Sequence, residues 1–187
     1  MIKNYEYCAY TYLHRKALVH YIQKNEYLLE EEKETLLIRA KVHDMDKLTL
    51  YLFRDKEEAS KYHRIHSSHH ITINKEHDKY DLLESIFDYE CAALTKPDKP
   101  LNAYDTVLKW YPELKDEYLP ILERLHMDSS YIAVSEEDKN YINQFSPSEE
   151  LILKEVSNYL KNNQKTVYHD LKDNLCTKEE YEKLLTY

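Results

Sequence analysis

The chain has 187 residues, with 26 Lys and Arg against 35 Asp and Glu, so its formal net charge is −9. Hydrophobic residues make up 42% and charged residues 33%, the balance of a globular protein rather than a disordered one. Glycine is absent, which excludes the glycine-dependent phosphate loop, dinucleotide turn and nucleophile elbow. The acidic balance argues against a general nucleic-acid binder, but a phosphate-bearing substrate remains open if metal ions attract it.

The cysteines and the apolar segments indicate the compartment. The three cysteines, Cys8, Cys91 and Cys176, are scattered, which fits neither a disulfide framework nor a zinc ribbon. We therefore expect reduced thiols and a cytoplasmic location. The first residues lack the apolar region of a signal peptide, and no apolar run approaches 18 residues, so no membrane partner is predicted.

Helical periodicity predominates along the chain and predicts an all-α fold. Helices are expected over residues 5–24, 29–43, 50–70, 79–95, 102–110, 114–126, 135–145, 147–163 and 177–186. Asn25 is predicted to end the first helix in the left-handed conformation, because no glycine is present to do so. Ser135 and Thr177 each begin a capping box. The apolar stretches 71–73 and 131–134 are too short and isolated to build a sheet.

The histidines divide the chain unevenly. Nine of the ten lie within residues 1–126, and six of these lie between His43 and His77. Residues 127–187 contain only His169 and are acidic and helical in pattern. We therefore predict a helical metal-binding domain over 1–126 and a helical C-terminal appendage over 127–187.

Four of the candidate ligands fall on helix faces that otherwise read as buried: His14, His43, Asp44 and Asp88. Burying two carboxylates without partners costs several kcal/mol, about what a bound divalent cation would offset. Imidazole and carboxylate ligands together suit Mn, Fe, Co, Ni or Zn. Taken alone, His14 is more simply explained as a buried structural histidine.

A histidine cluster strengthens the prediction of a metal site. In the segment YHRIHSSHH, His63, His66 and His70 share one face if the segment is helical. Neighbouring imidazoles repel one another when protonated, which favours deprotonation and metal capture. The alternative is a solvated helix end that binds metal adventitiously.

The order H…HD…D resembles the HD superfamily of metal-dependent phosphohydrolases. The chain is still more similar to an uncharacterised HD-like family of bacteria and phages, over about residues 5–110. The similar motifs read TYLHRK, HDMDKL, HRIHSSHH, DYECAA and TKPDKPLNAYDT. The chain departs from the family pattern at Asp46, where the family has a small Gly or Ser.

The resemblance implies an HD-domain-like helical bundle with two divalent metal ions between its helices. The ligands implied for the first ion are His14, His43, Asp44 and Asp88. Asp44 would bridge to a second ion, whose other ligands would be His63, His69 and His70, with His66 as the alternative to His63. Lys47 would contact a nonbridging phosphate oxygen beside the catalytic Asp44, or it is simply a surface cation that favours the helix dipole. Glu84 would orient a ligand histidine, or it is a plain surface carboxylate.

Three functions of different classes remain open from the sequence. The leading hypothesis is a metal-dependent phosphohydrolase acting on a small nucleotide or phosphoester. The second is a non-catalytic HD-like protein that binds nucleotide or metal as a sensor or sequestering module. The third is a helical interaction protein whose residues 127–187 mediate assembly, for example into a homo-oligomer.

Overall fold

The computed structural model of the protein describes residues 2–96, 102–130, 134–162 and 177–187. Within these ranges the chain forms α-helices, one 3-10 turn at Pro112–Leu114 and no strand, which confirms the predicted all-α class. The helices are α1 Tyr5–Lys24, α2 Glu30–Ala40, α3 Met45–Tyr51, α4 Lys56–His66, α5 Lys79–Thr95, α6 Ala103–Trp110, α7 Lys115–Arg124, α8 Glu136–Ile142, α9 Glu149–Asn162 and α10 Lys178–Leu184.

The helices are grouped into two compact units. The first unit consists of the described residues of Met1–Tyr12, Val42–His66 and Ser146–Tyr187, and the second of those of Leu13–Lys41 and Ser67–Phe145. Each unit has a hydrophobic core of its own. The division into a metal-binding domain over 1–126 and an appendage over 127–187 stays a prediction.

The core of the second unit is built around α5. Ile86 and Phe87 on this helix are fully buried, as are Tyr118 and Leu122 of α7. The helix begins at Asp78, whose carboxylate accepts hydrogen bonds from the amides of the first turn at 2.8 and 2.9 Å. Aromatic and aliphatic burial of this kind is the main stabilising contribution to a helical domain.

Two side chains cap helices of the second unit, and Ser135 makes the side-chain to amide hydrogen bond of its predicted capping box. Ser135 accepts a hydrogen bond from the Asp138 amide, and Asn102 accepts one from the Asp105 amide at the start of α6. Asn102 is thus an N-cap, which satisfies one of the four amides that every helix start leaves open. Lys99, in the motif TKPDKPLNAYDT before this cap, lies in 97–101, outside the described residues.

In the first unit, α3, α4, α9 and α10 supply the core. Its buried members include Met45 and Leu48 of α3, Ile152 and Val156 of α9, and Leu184 of α10. The predicted capping box at the start of α10 is confirmed, because Thr177 and Glu180 exchange side-chain to backbone hydrogen bonds at 3.2 and 2.7 Å. These contacts hold α3 in place within the first unit, and with it the first residues of this helix.

The predicted helix over 50–70 is wrong, because this segment contains the end of α3 and the whole of α4. The side-chain amide of Asn4 donates to the carbonyl of Tyr51, which the last turn of α3 leaves open, and to the carbonyl of Arg54, three residues beyond the helix. A distant side chain therefore ends the helix where the local pattern would continue it. Since α4 ends at His66, the expected common face for His63, His66 and His70 does not form.

Asn25 does not adopt the predicted left-handed conformation. Among the described residues, the backbone has positive φ only at Asp44 (56°) and His126 (55°). Asn25 instead uses its side chain, whose oxygen accepts hydrogen bonds from the amides of Tyr27 and Leu28 at 2.9 and 3.0 Å. This local turn ends α1 without the cost of a left-handed residue.

A membrane-spanning helix is missing from the described part of the chain, where no helix is both long enough and apolar enough.

Candidate metal centre

The described residues include groups of His, Asp and Glu side chains that could hold a metal ion. The residues that form these groups are His14, His43, His63, His69, His70, Glu84 and Asp88. The two units are described in turn, starting with the one that contains the predicted His-Asp pair.

Asp44 has an unusual backbone in the first unit. It precedes α3 at the N-cap position, but its φ of 56° is left-handed and its carboxylate does not cap the helix. A left-handed conformation costs a residue with a Cβ atom about 1–2 kcal/mol. Strain at a single residue often accompanies a functional role, because the surrounding structure must hold the side chain in one place.

The carboxylate of Asp44 lies between two imidazoles and an ammonium group. Its Oδ1 atom is 2.8 Å from Nε2 of His63 and 3.8 Å from Nε2 of His43, and its Oδ2 atom is 2.6 Å from Nζ of Lys47. Asp44, His43 and His63 are 3, 3 and 2% exposed. The first unit thus brings together three of the predicted ligands and the predicted catalytic lysine.

The spacing of these donor atoms fits a shared ion. Two ligand atoms that are each about 2.1 Å from a metal lie about 3.0 Å apart at a right angle and about 3.4 Å apart at a tetrahedral angle. The distances from Asp44 to His63 and His43, 2.8 and 3.8 Å, fall on either side of these values. Two imidazoles and one carboxylate also form a donor set that Mn, Fe, Co, Ni and Zn accept.

Asp46 holds the other nitrogen of His63. Its two carboxylate oxygens lie 3.0 and 2.9 Å from Nδ1 of the imidazole, on the opposite side of the ring from Asp44. In the metal sites of proteins, a ligand histidine commonly donates its second N–H to such a carboxylate. Sequence reasoning treated Asp46 only as a departure from the family pattern, because no local spacing connects it with a histidine 17 residues away.

Electrostatics maintain the charges of this cluster. Burial by itself would raise the pKa of Asp44, but the charges of Lys47, His43 and His63 outweigh it and hold the pKa well below its usual value. Burial likewise opposes the charged form of His63, but Asp44 and Asp46 raise the pKa of this imidazole. Asp44 is therefore an anion at neutral pH, as a metal ligand must be.

Lys47 has a buried anionic neighbour rather than a solvated position. Its ammonium group is 2.6 Å from Asp44, and its side chain is 18% exposed. Lys47 is therefore not the surface cation that the sequence left as the alternative. Its predicted role toward a phosphate oxygen stays a prediction.

In the second unit, His14 and Asp88 form a close pair. Nε2 of His14 on α1 is 2.6 Å from Oδ1 of Asp88 on α5, and Nδ1 lies 3.3 Å from the hydroxyl of Thr95. The His14 side chain is 3% exposed and that of Asp88 16%. Both residues therefore lie where the helix pattern predicts them, on inward faces of α1 and α5.

A second cluster in this unit contains His69 and His70, whose ring centroids are 4.7 Å apart. Nδ1 of His69 lies 2.7 Å from the Ser67 hydroxyl and 3.4 Å from Glu84. Glu84 in turn accepts a 2.6 Å hydrogen bond from Arg39. Glu84 is thus a buried carboxylate beside a histidine rather than the surface carboxylate of the alternative.

Arg39 attaches residues 67–70, here called the histidine loop, to α5. Besides its contact with Glu84, its guanidinium group donates to Asp81 and, at 3.0 Å, to the hydroxyl of Ser68. An arginine fork that joins several acceptors restricts them more than a single ammonium would. The ligand assignments of His14, Asp88, His69 and His70 come from the sequence pattern and stay predictions.

His66, the alternative ligand to His63, is directed elsewhere. It is exposed, stacks on Tyr62 with a centroid distance of 3.9 Å and donates from Nδ1 to the Tyr62 carbonyl at 2.8 Å. His63, one turn earlier on α4, faces the first residues of α3 instead. The sequence left open whether His63 or His66 is the ligand, and in the structure only His63 is directed toward Asp44.

Comparison with known proteins gives no assignment. No protein-family model matches the chain, and neither a curated protein nor a solved structure matches it significantly. The all-helical fold and the buried His and Asp groups are compatible with an HD-like protein.

Proposed function

We propose that this protein is a metal-dependent phosphohydrolase that acts on a small nucleotide or another small phosphoester. The observation that carries the proposal is the buried carboxylate of Asp44, with His63 at 2.8 Å and Lys47 at 2.6 Å. The H…HD…D order of the sequence supports the same activity by resemblance. The proposal includes two ions, because the histidine segment 63–70 offers further imidazoles.

The residues around Asp44 fit a divalent ion and a phosphate group together. Asp44, His43 and His63 would hold the ion, which when bound supplies a hydroxide at neutral pH and polarises a phosphoryl oxygen. Asp44 offsets the positive charge, and its burial excludes the water that would screen it. Lys47 provides a cation one turn away, which is able to turn from Asp44 to an anionic phosphate oxygen.

The first experiment separates metal binding from catalysis. Protein purified without a histidine tag is analysed for metal by mass spectrometry, then assayed against nucleotides and simple phosphoesters with added Mn, Fe or Co. We expect one or two equivalents of metal and hydrolysis that chelators abolish. Metal-loaded protein that hydrolyses none of these compounds would contradict the phosphohydrolase.

Matched variants localise the activity. Asp44→Asn keeps the size of the side chain but removes the anionic ligand, so we expect loss of hydrolysis with an unchanged helical circular dichroism spectrum. The control is Asp55→Asn, which changes an exposed carboxylate of the same unit that pairs with Lys3 at 2.9 Å. Full activity in the Asp44 variant would refute the proposed site.

One observation favours the alternative of a protein that binds nucleotide or metal without turnover. The 2.6 Å contact between Lys47 and Asp44 neutralises the carboxylate. Because Lys47 competes with a metal ion for Asp44, it would favour binding of an anion over formation of the metal-bound hydroxide that cleavage needs. Tight nucleotide binding by calorimetry, together with no product after long incubation, would identify this alternative.

A further inference from the structure

We propose that Asp46 is the positioning residue of the metal centre, fixing His63 so that Nε2 is the nitrogen presented to the ion. This inference rests on the metal site of the proposed function but not on the reaction. It gives a role to Asp46, the residue at which this chain departs from the HD-like pattern.

The hydrogen-bond chemistry of the ring leads to this assignment. A carboxylate only accepts hydrogen bonds, so the nitrogen that faces Asp46, Nδ1 at 2.9–3.0 Å, must carry a proton. The opposite nitrogen, Nε2, points toward Oδ1 of Asp44 at 2.8 Å. By the same reasoning Nε2 donates to Asp44, so the ring carries a proton on each nitrogen. A metal ion held by Asp44 would replace the proton on Nε2, while Asp46 keeps the proton on Nδ1.

The local fold allows Asp46 to act in this way. Asp46 lies in the first turn of α3 and His63 in the last turn of α4, two helices that pack together in the first unit. The His63 side chain is 2% exposed, whereas that of Asp46 is 31% exposed. The carboxylate thus reaches the buried ring from the partly exposed edge of the site.

A simpler role for Asp46 is favourable interaction with the helix dipole, since an anion in the first turn stabilises a helix. The two roles predict different orders among variants. For the dipole, Asp46→Asn and Asp46→Ser are equivalent because both remove the charge. For the orientation of His63 they differ, because Asn retains an oxygen that accepts from Nδ1 whereas Ser is too short to reach it.

The experiment measures metal affinity rather than turnover. Zinc and manganese dissociation constants are determined by chelator competition for the wild type, both Asp46 variants and the Asp55→Asn control. Loss of a carboxylate that orients a ligand histidine weakens metal binding by about 10–100-fold. We expect that loss in Asp46→Ser, an intermediate loss in Asp46→Asn and wild-type affinity in the control.

Two further measurements test whether Asp46 acts through His63. The zinc-loaded protein is labelled with nitrogen-15 on histidine, and the His63 signals are identified as those missing from the spectrum of His63→Ala. These signals should show a protonated Nδ1 in the wild type and a mixture of tautomers in Asp46→Ser. In the His63→Ala background, Asp46→Ser should cause no additional loss of affinity. An additional loss of full size would show that Asp46 acts independently of His63.

The outcomes distinguish this inference from the proposed function. Equal affinities of the two Asp46 variants, or of all three proteins, would overturn the role of Asp46 even if hydrolysis is found. Metal binding with the expected order of affinities but without hydrolysis would support it and contradict the phosphohydrolase. A wild type that binds neither zinc nor manganese would overturn both.

Discussion

Replacing Asp138 with asparagine should destabilise the second unit in a pH-dependent way. Asp138 is 3% exposed and accepts hydrogen bonds from His20 at 2.7 Å, Lys24 at 2.5 Å and Ser135 at 2.8 Å. These contacts join α8 to α1 within this unit. Asparagine preserves the volume of the side chain but removes its charge and one acceptor oxygen.

The size of the effect follows from the exposure of each partner. A hydrogen bond to a buried charge contributes about 1.5–3 kcal/mol. The side chain of Lys24 is 44% exposed, so its share is only about 0–1 kcal/mol. We expect a loss of about 2 kcal/mol at pH 7, which for a chain of this length lowers Tm by about 4–8 °C.

The pH dependence has a definite sign. Burial opposes the charge of Asp138, but hydrogen bonds from Lys24, Ser135 and His20 lower its pKa below the usual value. A carboxyl whose folded pKa is depressed stabilises the fold above its unfolded pKa, about 3.9, and this stability is lost as the pH falls through the folded pKa. The Tm difference between wild type and variant should therefore be constant from pH 7 to 5 and close below about pH 4.

Calorimetry or circular dichroism melting of both proteins across this pH range measures the difference. Glu136→Gln is the control, because Glu136 is an exposed member of the same helix that pairs with Lys139. A Tm difference that persists unchanged at pH 3.5, or no difference at pH 7, would refute the reasoning.

Three further variants test the site and the core. Lys47→Met removes a cation that competes with a metal for Asp44, so metal affinity in chelator competition should rise about tenfold; unchanged or weaker binding would contradict this. Arg39→Lys loses the fork that joins Glu84 to the histidine loop, and Tm should fall by about 2–8 °C for a loss of about 1–2 kcal/mol; an unchanged Tm would make that network dispensable. Phe87→Ala creates a cavity at a fully buried position and should cost about 3–5 kcal/mol in denaturant unfolding; a cost under about 1 kcal/mol would exclude the described core.

Helix positions were predictable wherever the local pattern and a cap agree. The helix expected over 79–95 is observed as α5 with the same bounds, because a continuous apolar pattern follows the Asp78 cap. Ser135 and Thr177 begin α8 and α10 as the capping boxes predict. In these cases the decisive hydrogen bonds join residues three positions apart, so the sequence contains the whole signal.

Prediction failed where a distant group supplies the hydrogen bond. The break within 50–70 depends on Asn4, which lies 47 residues before Tyr51 and satisfies the end of α3. Propensity predicts the left-handed residue at Asn25, but the structure has positive φ at Asp44 and His126 instead. Propensity measures only local energy, whereas strain at Asp44 must be offset by tertiary contacts.

The sequence by itself determined the helical class, most helix positions and the residue types of a candidate metal site, since periodicity, caps and ligand chemistry are local properties. Tertiary structure alone decided that His63 rather than His66 faces Asp44, and that Asp46 holds the far side of its ring. The physical reason is that α3 and α4 are separate helices whose packing brings residues 17 to 19 positions apart within hydrogen-bond distance. No periodic pattern in the sequence indicates that these residues come close to one another.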